Sequence, residues 1–262
     1  MTFNLRVSTA ADGENAWPHR ADRAAEAIVR AGADVVGTQE LLQGMRKDLA
    51  DALPDYAWIG ASREAKPDGE MCAILYRKSH FAAADSGTFW LSDTPDVPGS
   101  VGWDAALPRI CTWCELASRR DPKLRVIVYN THLDHVGEEA RFRGLALILR
   151  RIGERLERDA APCILMGDFN AAPNSSAVRM LRCVGEPAVQ PALQDVYASV
   201  YGTRPVGRTF HGFRGGSDGE PIDYIAVSRE FTVLDAAVDR SLIRGRYPSD
   251  HYPVLANVRL PR

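Results

Sequence analysis

The stretch that most constrains the chain is residues 163–170, Cys-Ile-Leu-Met-Gly-Asp-Phe-Asn, an apolar run that stops abruptly at an acid and an amide two residues apart. A short apolar run of this kind, entered from Pro162, has the pattern of a strand buried on both faces. Strand side chains repeat every two residues, so Asp168 and Asn170 are predicted to share one side of the strand's end. Buried without partners, such groups cost roughly 1–3 kcal/mol each. They must therefore meet each other, water, a metal ion or a substrate. A plain turn is the competing reading, because Asp, Asn and the Ala-Ala-Pro-Asn that follows all suit turns. Alone, the stretch does not decide between them.

The same pattern recurs along the chain. A strand predicted over residues 34–40 ends in Glu40, and one over 2–7 carries Asn4, which is poor strand material and needs a reason. Residues 126–131 run into Thr-His-Leu-Asp-His, Asp223 opens a strand over 222–227, and Pro-Ser-Asp-His at 248–251 precedes a last strand at 254–258. Further strands are expected at 56–59, 72–77, 81–90, 110–117 and 231–238, and helices at 18–31, 43–53, 138–158 and 175–183. Residues 186–201 read as irregular. The loop at 91–108 and the Gly-rich one at 207–219 are long enough to suggest a role.

No boundary interrupts the 262 residues, which read as a single domain over 1–262. Lys plus Arg number 32 against 34 for Asp plus Glu, so the net charge of −2 is not the basic balance of a protein that tracks duplex nucleic acid. There is no basic-then-apolar leader and no run of the roughly 20 apolar residues a membrane helix needs, so no membrane association and a cytoplasmic location are expected. Cysteines 72, 111, 114, 163 and 183 are an odd number in apolar segments, which suits reduced thiols. Cys111-Thr-Trp-Cys114 lacks a second pair, and strand alternation sends its sulfurs to opposite faces, against zinc or redox chemistry.

Gathered in one place, the strand ends supply Asn4, Glu40, His132, Asp168, Asn170, Asp223, Asp250 and His251. Hard oxygen ligands without cysteine suit Mg²⁺ or Mn²⁺, and histidines beside acids suit proton transfer or charge stabilisation. Each residue also has a bland reading: Asn4 as a satisfied core amide, Glu40 as a helix cap, Asp250 and His251 as loop polar groups. The ordered set Phe-Asn-Leu-Arg, Thr-Gln-Glu, Asn-Thr-His-Leu, Gly-Asp-Phe-Asn, Ile-Asp-Tyr and Ser-Asp-His, however, resembles the endonuclease/exonuclease/phosphatase superfamily. Segments 87–92, 103–113 and 209–213 are similar to a bacterial group related to deadenylases and nocturnin. The resemblance implies a four-layer α/β/β/α sandwich of two mixed β-sheets flanked by helices, with the active site at one edge.

It also implies roles. Glu40 resembles the principal ligand of a Mg²⁺ or Mn²⁺ ion, with Asn4 and Asp250 on the metal side. Asp168 resembles the residue that prepares the attacking water, and Asn170 a ligand to phosphate or to a second metal. His251, held by Asp223, resembles the phosphate-contacting histidine. His132 resembles a second one, with Glu70 placed as its acidic partner. Tyr76, which ends a strand, reads either as core or as support behind the site. Arg109, His211 and Phe213 are candidate substrate contacts. Arg6 stands where apurinic endonucleases carry an acid, which argues against that repair role. The leading reading is a metal-dependent phosphoesterase cleaving phosphodiesters in single-stranded nucleic acid or a nucleotide-like substrate, on whose bases Trp103, Phe210 and Phe213 could stack. The alternatives are a phosphomonoesterase acting on a small phosphorylated metabolite and a non-catalytic binding protein, against which the complete set of acids and histidines stands. No protein partner is expected.

Overall fold

Apolar alternation along the strands builds two six-stranded mixed sheets packed face to face, with helices outside. The computed structural model describes residues 1–159, 161–182 and 193–260. In chain order the strands are β1 (Thr2–Asn4), β2 (Val35–Leu41), β3 (Tyr56–Ile59), β4 (Met71–Arg77), β5 (Phe81–Trp90), β6 (Ile110–Ser118), β7 (Arg125–His132), β8 (Cys163–Asp168), β9 (Leu193–Asp195), β10 (Asp223–Ser228), β11 (Thr232–Val238) and β12 (Val254–Arg259). The helices are α1 (Ala21–Ala31), α2 (Gln43–Ala52), α3 (Glu138–Arg158), α4 (Ser176–Arg182) and α5 (Val196–Tyr201). One sheet runs β11-β12-β1-β2-β4-β3 and the other β5-β6-β7-β8-β10-β9.

Strand alternation sorts the core. Along β4, Met71, Ala73 and Leu75 face the helices α1 and α2, packing with Ala24, Ile28, Met45 and Leu49, while Ile74 faces the other sheet. On the second sheet α3 buries Leu145, Ile148, Leu149 and Ile152, each contributing about 1.5–3 kcal/mol by leaving water. The sheets approach closely beneath the site. Asn130 on β7 donates to the carbonyls of Thr38 and Ala73 and accepts from Gln39, and a Cβ on Gly37 would lie 2.7 Å from its Oδ1. Only glycine fits there.

Several expectations change. The first strand stops at Asn4, because Arg6 takes a left-handed φ of 56° that ends the pairing. The helix expected from residue 18 begins as a 3₁₀ turn, Trp17–His19, and becomes α-helical only at Ala21; Gly32, left-handed, closes it. Within the stretch read as irregular, residues 193–201 form β9 and α5, since the Asp195 carboxylate accepts the Tyr197 N–H as a helix cap and Tyr197 is buried. Residues 183–192, including Cys183, lie outside the described residues. Cys111 and Cys114 are free and buried, and burial pushes the Cys114 thiol up to about 12. Among the described residues no helix is long and apolar enough to cross a membrane.

Candidate active site

Register assembles the site. Parallel pairing of β7 with β8 sets His132 opposite Asp168, and antiparallel pairing of β10 with β8 sets Asp223 opposite the same residue. Three chemically active side chains thus stand abreast on adjacent strands. Gly167 makes this approach possible: its φ is +155°, and a Cβ there would lie 2.1 Å from the Thr131 carbonyl oxygen. From the other sheet, parallel pairing of β1 with β2 sets Asn4 opposite Gln39. A β-bulge between Thr38 and Leu41, with Glu40 at φ 58°, then turns the Glu40 side chain toward the same place.

These ends frame a cavity of about 350 Å³. It is lined by the carboxylates Glu40, Glu70, Asp168 and Asp250, the histidines His132 and His251, the arginines Arg6, Arg63 and Arg109, and Phe210. The segment 209–212 that carries Phe210 is tied to the site by its backbone. His211 and Gly212 N–H both donate to the Asp250 carbonyl, Tyr252 N–H donates to the Thr209 carbonyl, and the Thr209 hydroxyl accepts from the Asp223 N–H. Ser249 Oγ donates to the Asn4 carbonyl, tying the last catalytic loop to β1.

His251 Nδ1 lies 2.9 Å from Asp223 Oδ2, both buried, and its Nε2 lies 3.8 Å from Asp168 Oδ2. Burial opposes the imidazolium, but Asp223, Asp168 and Asp250 outweigh it and push its pKa up to about 10. Asp168 is pushed up to about 7, by burial first and then by Asp223. Its Oδ2 accepts from Asn4 Nδ2 at 2.9 Å and its Oδ1 from the Asn170 N–H. His132 is held well below its usual range, by burial and then by Arg109, and is neutral, with Nε2 3.5 Å from Asp168 Oδ2. Asp168, Asp223 and His251 form a carboxylate/histidine cluster, but the Asp223 hydrogen bond occupies His251 Nδ1.

On the metal side, both amide atoms of Asn4 are engaged. Asn4 Oδ1 accepts the backbone N–H of Arg6, so its Nδ2 faces outward and donates to both Glu40 Oε1 and Asp168 Oδ2. Asn4 is therefore a bridge between two carboxylates. Glu40 and Asp250 are the carboxylates beside it. Asp250 is pushed up by burial and by the Glu40 charge, a repulsion that Arg6 (3.6 Å away) and Arg20 only partly offset. Two hard carboxylates in mutual repulsion fit a divalent cation that keeps water ligands.

Other positions are corrected. Glu70 does not bond His132 among the described residues; it pairs with Arg63 at 2.7 Å, and Asp168 is the acid within reach of His132. Tyr76 lies at the far end of β4, opposite Val35 at the start of β2, because the two strands run antiparallel. It therefore lies at the opposite end of the strand pair from Glu40 and packs against the core. His211 is stacked on Tyr252, with ring centroids 3.9 Å apart, and anchors the loop behind Asp250 without lining the cavity. Phe213 packs against the guanidinium of Arg20, again off the cavity; the aromatic that lines it is Phe210, 48% exposed and 5.1 Å from the His251 ring. Trp103 hydrogen-bonds Asp93 and is not among the lining residues. Arg109 does line the wall, with Nε on Asp134 and Nη2 on His135. Asn170 reaches the rim, with Nδ2 on the Leu133 carbonyl. Sequence reasoning missed Arg63, an isolated arginine in a polar loop that carries no motif.

Comparison with known proteins agrees with this geometry. Residues 1–251 match the Endonuclease/Exonuclease/phosphatase family. An endonuclease/exonuclease/phosphatase from Bacteroides vulgatus is 35% identical, with 99% of this chain and 97% of that one covered and a TM-score of 0.89. The mannosyl-6-phosphatase of Bacteroides thetaiotaomicron is 32% identical, with coverages of 99% and 98% and a TM-score of 0.86. The human nocturnin catalytic domain with bound sulfate shares the fold, with a TM-score of 0.75 at 19% identity and coverages of 98% and 91%. No curated protein sequence matches significantly. The ordered motifs, the two stacked sheets and the full-length match together make the chain a member of the endonuclease/exonuclease/phosphatase family.

Proposed function

We propose that this phosphoesterase hydrolyses the phosphomonoester of a small polyhydroxylated metabolite, of sugar-phosphate size, with Mg²⁺ or Mn²⁺ held by Glu40 and Asp250. The observation that carries the reading is the bounded cavity itself. Its wall cations, Arg63 and Arg109, are only 7% and 4% exposed and are tied to carboxylates. They serve the interior of a cup of about 350 Å³, whereas a single strand needs a basic groove that follows its backbone. The full-length similarity to a mannosyl-6-phosphatase supports the same choice. A phosphodiester in single-stranded nucleic acid or a nucleotide-like ligand is the second reading, favoured by Phe210, exposed at the cavity where a base could stack.

In the reaction, water attacks phosphorus, the P–O bond to the alcohol breaks, and free alcohol and inorganic phosphate result. Asp168, with its raised pKa and both oxygens fixed by Asn4 and Asn170, orients the water and takes its proton near neutral pH. The His251 imidazolium, held by Asp223, meets charge developing on the phosphoryl oxygens. Neutral His132 offers a ring N–H to the phosphate from the side of the arginine wall. A bound divalent cation supplies Lewis-acid stabilisation of the same charge. The test sets sugar, inositol and nucleotide monophosphates against a short single-stranded oligonucleotide at equal Mg²⁺ or Mn²⁺. Turnover of the monoesters is expected; turnover confined to the oligonucleotide would overturn the reading.

A further inference from the structure

The hydrolytic chemistry leaves one ion pair, buried Arg63 with half-buried Glu70, without a task. Arg63 Nη2 donates to Glu70 Oε1 at 2.7 Å, and the Arg63 backbone N–H donates to the Glu70 carbonyl at 2.8 Å. The two ends of the 63–70 loop are thereby pinned together. Trp90 Nε1 in turn donates to the Arg63 carbonyl at 2.6 Å and fixes the pair to β5. Both side chains line the main cavity, and with Glu40, Arg109 and His132 they also bound a narrow recess.

A partly buried ion pair adds little to stability, so its presence among the cavity-lining residues asks for a chemical reason. Among the described residues, Arg63 Nη1 and Glu70 Oε2 make no hydrogen bond. The wall thus holds, side by side, spare N–H donors and a spare carboxylate acceptor. A phosphate would be repelled by Glu70. A hydroxyl group both donates and accepts, and two hydroxyls on adjacent carbons match such a donor–acceptor pair. Position agrees with this. The pair lines the same cavity as His132, Asp168 and His251, so a phosphate held by those residues leaves the alcohol portion of its ester in one cavity with Arg63 and Glu70.

We infer that Arg63 and Glu70 are specificity-determining residues that read the hydroxyl groups of the alcohol portion of the substrate. This rests on the phosphomonoesterase reading. The measurement is kcat/KM for a hexose 6-phosphate divided by kcat/KM for phenyl phosphate, which has no hydroxyls to read, in the wild type, Glu70→Gln and Arg63→Met, with thermal melts of all three. The ratio falls at least about tenfold in each variant, through a rise in KM for the hexose phosphate, since a hydrogen bond to a charged group is lost. Equal losses on both substrates would overturn the inference and make the pair a support for the wall. A wild-type-based arm covers the case of variants that do not fold. Hexose 6-phosphates lacking one ring hydroxyl at a time are compared, and at least one deletion costs the wild type about tenfold or more in kcat/KM. Indifference to every deletion would overturn the inference. Failure of the phosphomonoesterase reading is separately visible, as a wild-type enzyme that cleaves neither monoester.

Discussion

Asp223 and His251 should behave as one unit whose defect depends on pH. The wild-type imidazole is held charged to about pH 10 instead of the ordinary 6.5, chiefly by the carboxylate 2.9 Å from Nδ1 set against a large burial cost. Asp223→Asn removes the strongest of the charges that hold the imidazolium and leaves Asp168 and Asp250 against burial, so the His251 pKa falls toward the ordinary 6.5. A group of pKa 6.5 is only about 3% protonated at pH 8, which alone predicts a roughly 30-fold loss there. At pH 5.5 the same group is mostly charged, and the ratio of wild-type to variant kcat should shrink to a few-fold. Asp168 protonates below about 7 in the wild type but at lower pH in the variant, which lacks the Asp223 charge, so the ratio shrinks further toward acid pH. The sign for stability follows. Stabilisation from the raised His251 pKa is present below 6.5 and is lost as pH rises through about 10. His251→Ala should cost roughly 100-fold at pH 8, and the double variant should be little worse than either single one. Multiplying defects, or a wild-type to Asp223→Asn ratio that does not change with pH, would refute the pairing.

Chelation should abolish hydrolysis and Mg²⁺ or Mn²⁺ restore it, and Glu40→Gln should weaken Mn²⁺ binding measured by calorimetry while the melting curve stays cooperative. Asp168→Asn should lower kcat by roughly 100-fold or more with little change in KM, read by steady-state kinetics on a hydrolysed monoester. Asn4→Asp places a third carboxylate between Glu40 and Asp168 and should lose more activity than Asn4→Ser, an order the same kinetics would reverse if Asn4 were a metal ligand. Gly167→Ala drives a Cβ into the Thr131 carbonyl and should destabilise the fold by about 2–4 kcal/mol in urea unfolding.

Much of the frame was legible because periodicity reports it directly. Strands at Tyr56–Ile59 and Phe81–Trp90 and the helix Glu138–Arg158 lie where alternation and helical spacing put them. That acids and amides at strand ends converge was also legible, since an apolar run ending in Asp or Glu leaves a group that needs a partner. What a single chain does not display is orientation. Asn4 was readable as present at the site, but whether it offers oxygen or nitrogen depends on the Arg6 N–H, which reaches Oδ1 only because Arg6 is left-handed. Glu70 and Tyr76 were assigned from their place along a strand, and antiparallel pairing sends one to the cavity and the other to the opposite end.

What escaped reading is the backbone conformation that aims the site residues. Arg6, Glu40 and Asn170 all adopt left-handed backbone without being glycine, at φ 56°, 58° and 48°, and all three line the cavity. Each such conformation costs on the order of 1 kcal/mol and survives only where surrounding bonds over-determine it. Those bonds are present: Glu40 Oε2 accepts the Val7 N–H, Asn170 N–H and Nδ2 are both engaged, and the Arg6 carbonyl accepts from buried Arg20. Relaxing any one of the three to extended backbone would rotate its side chain out of the cavity. The strain is therefore the means by which strands ending in ordinary polar residues turn those residues toward one point, and no pattern of apolar and polar letters encodes it.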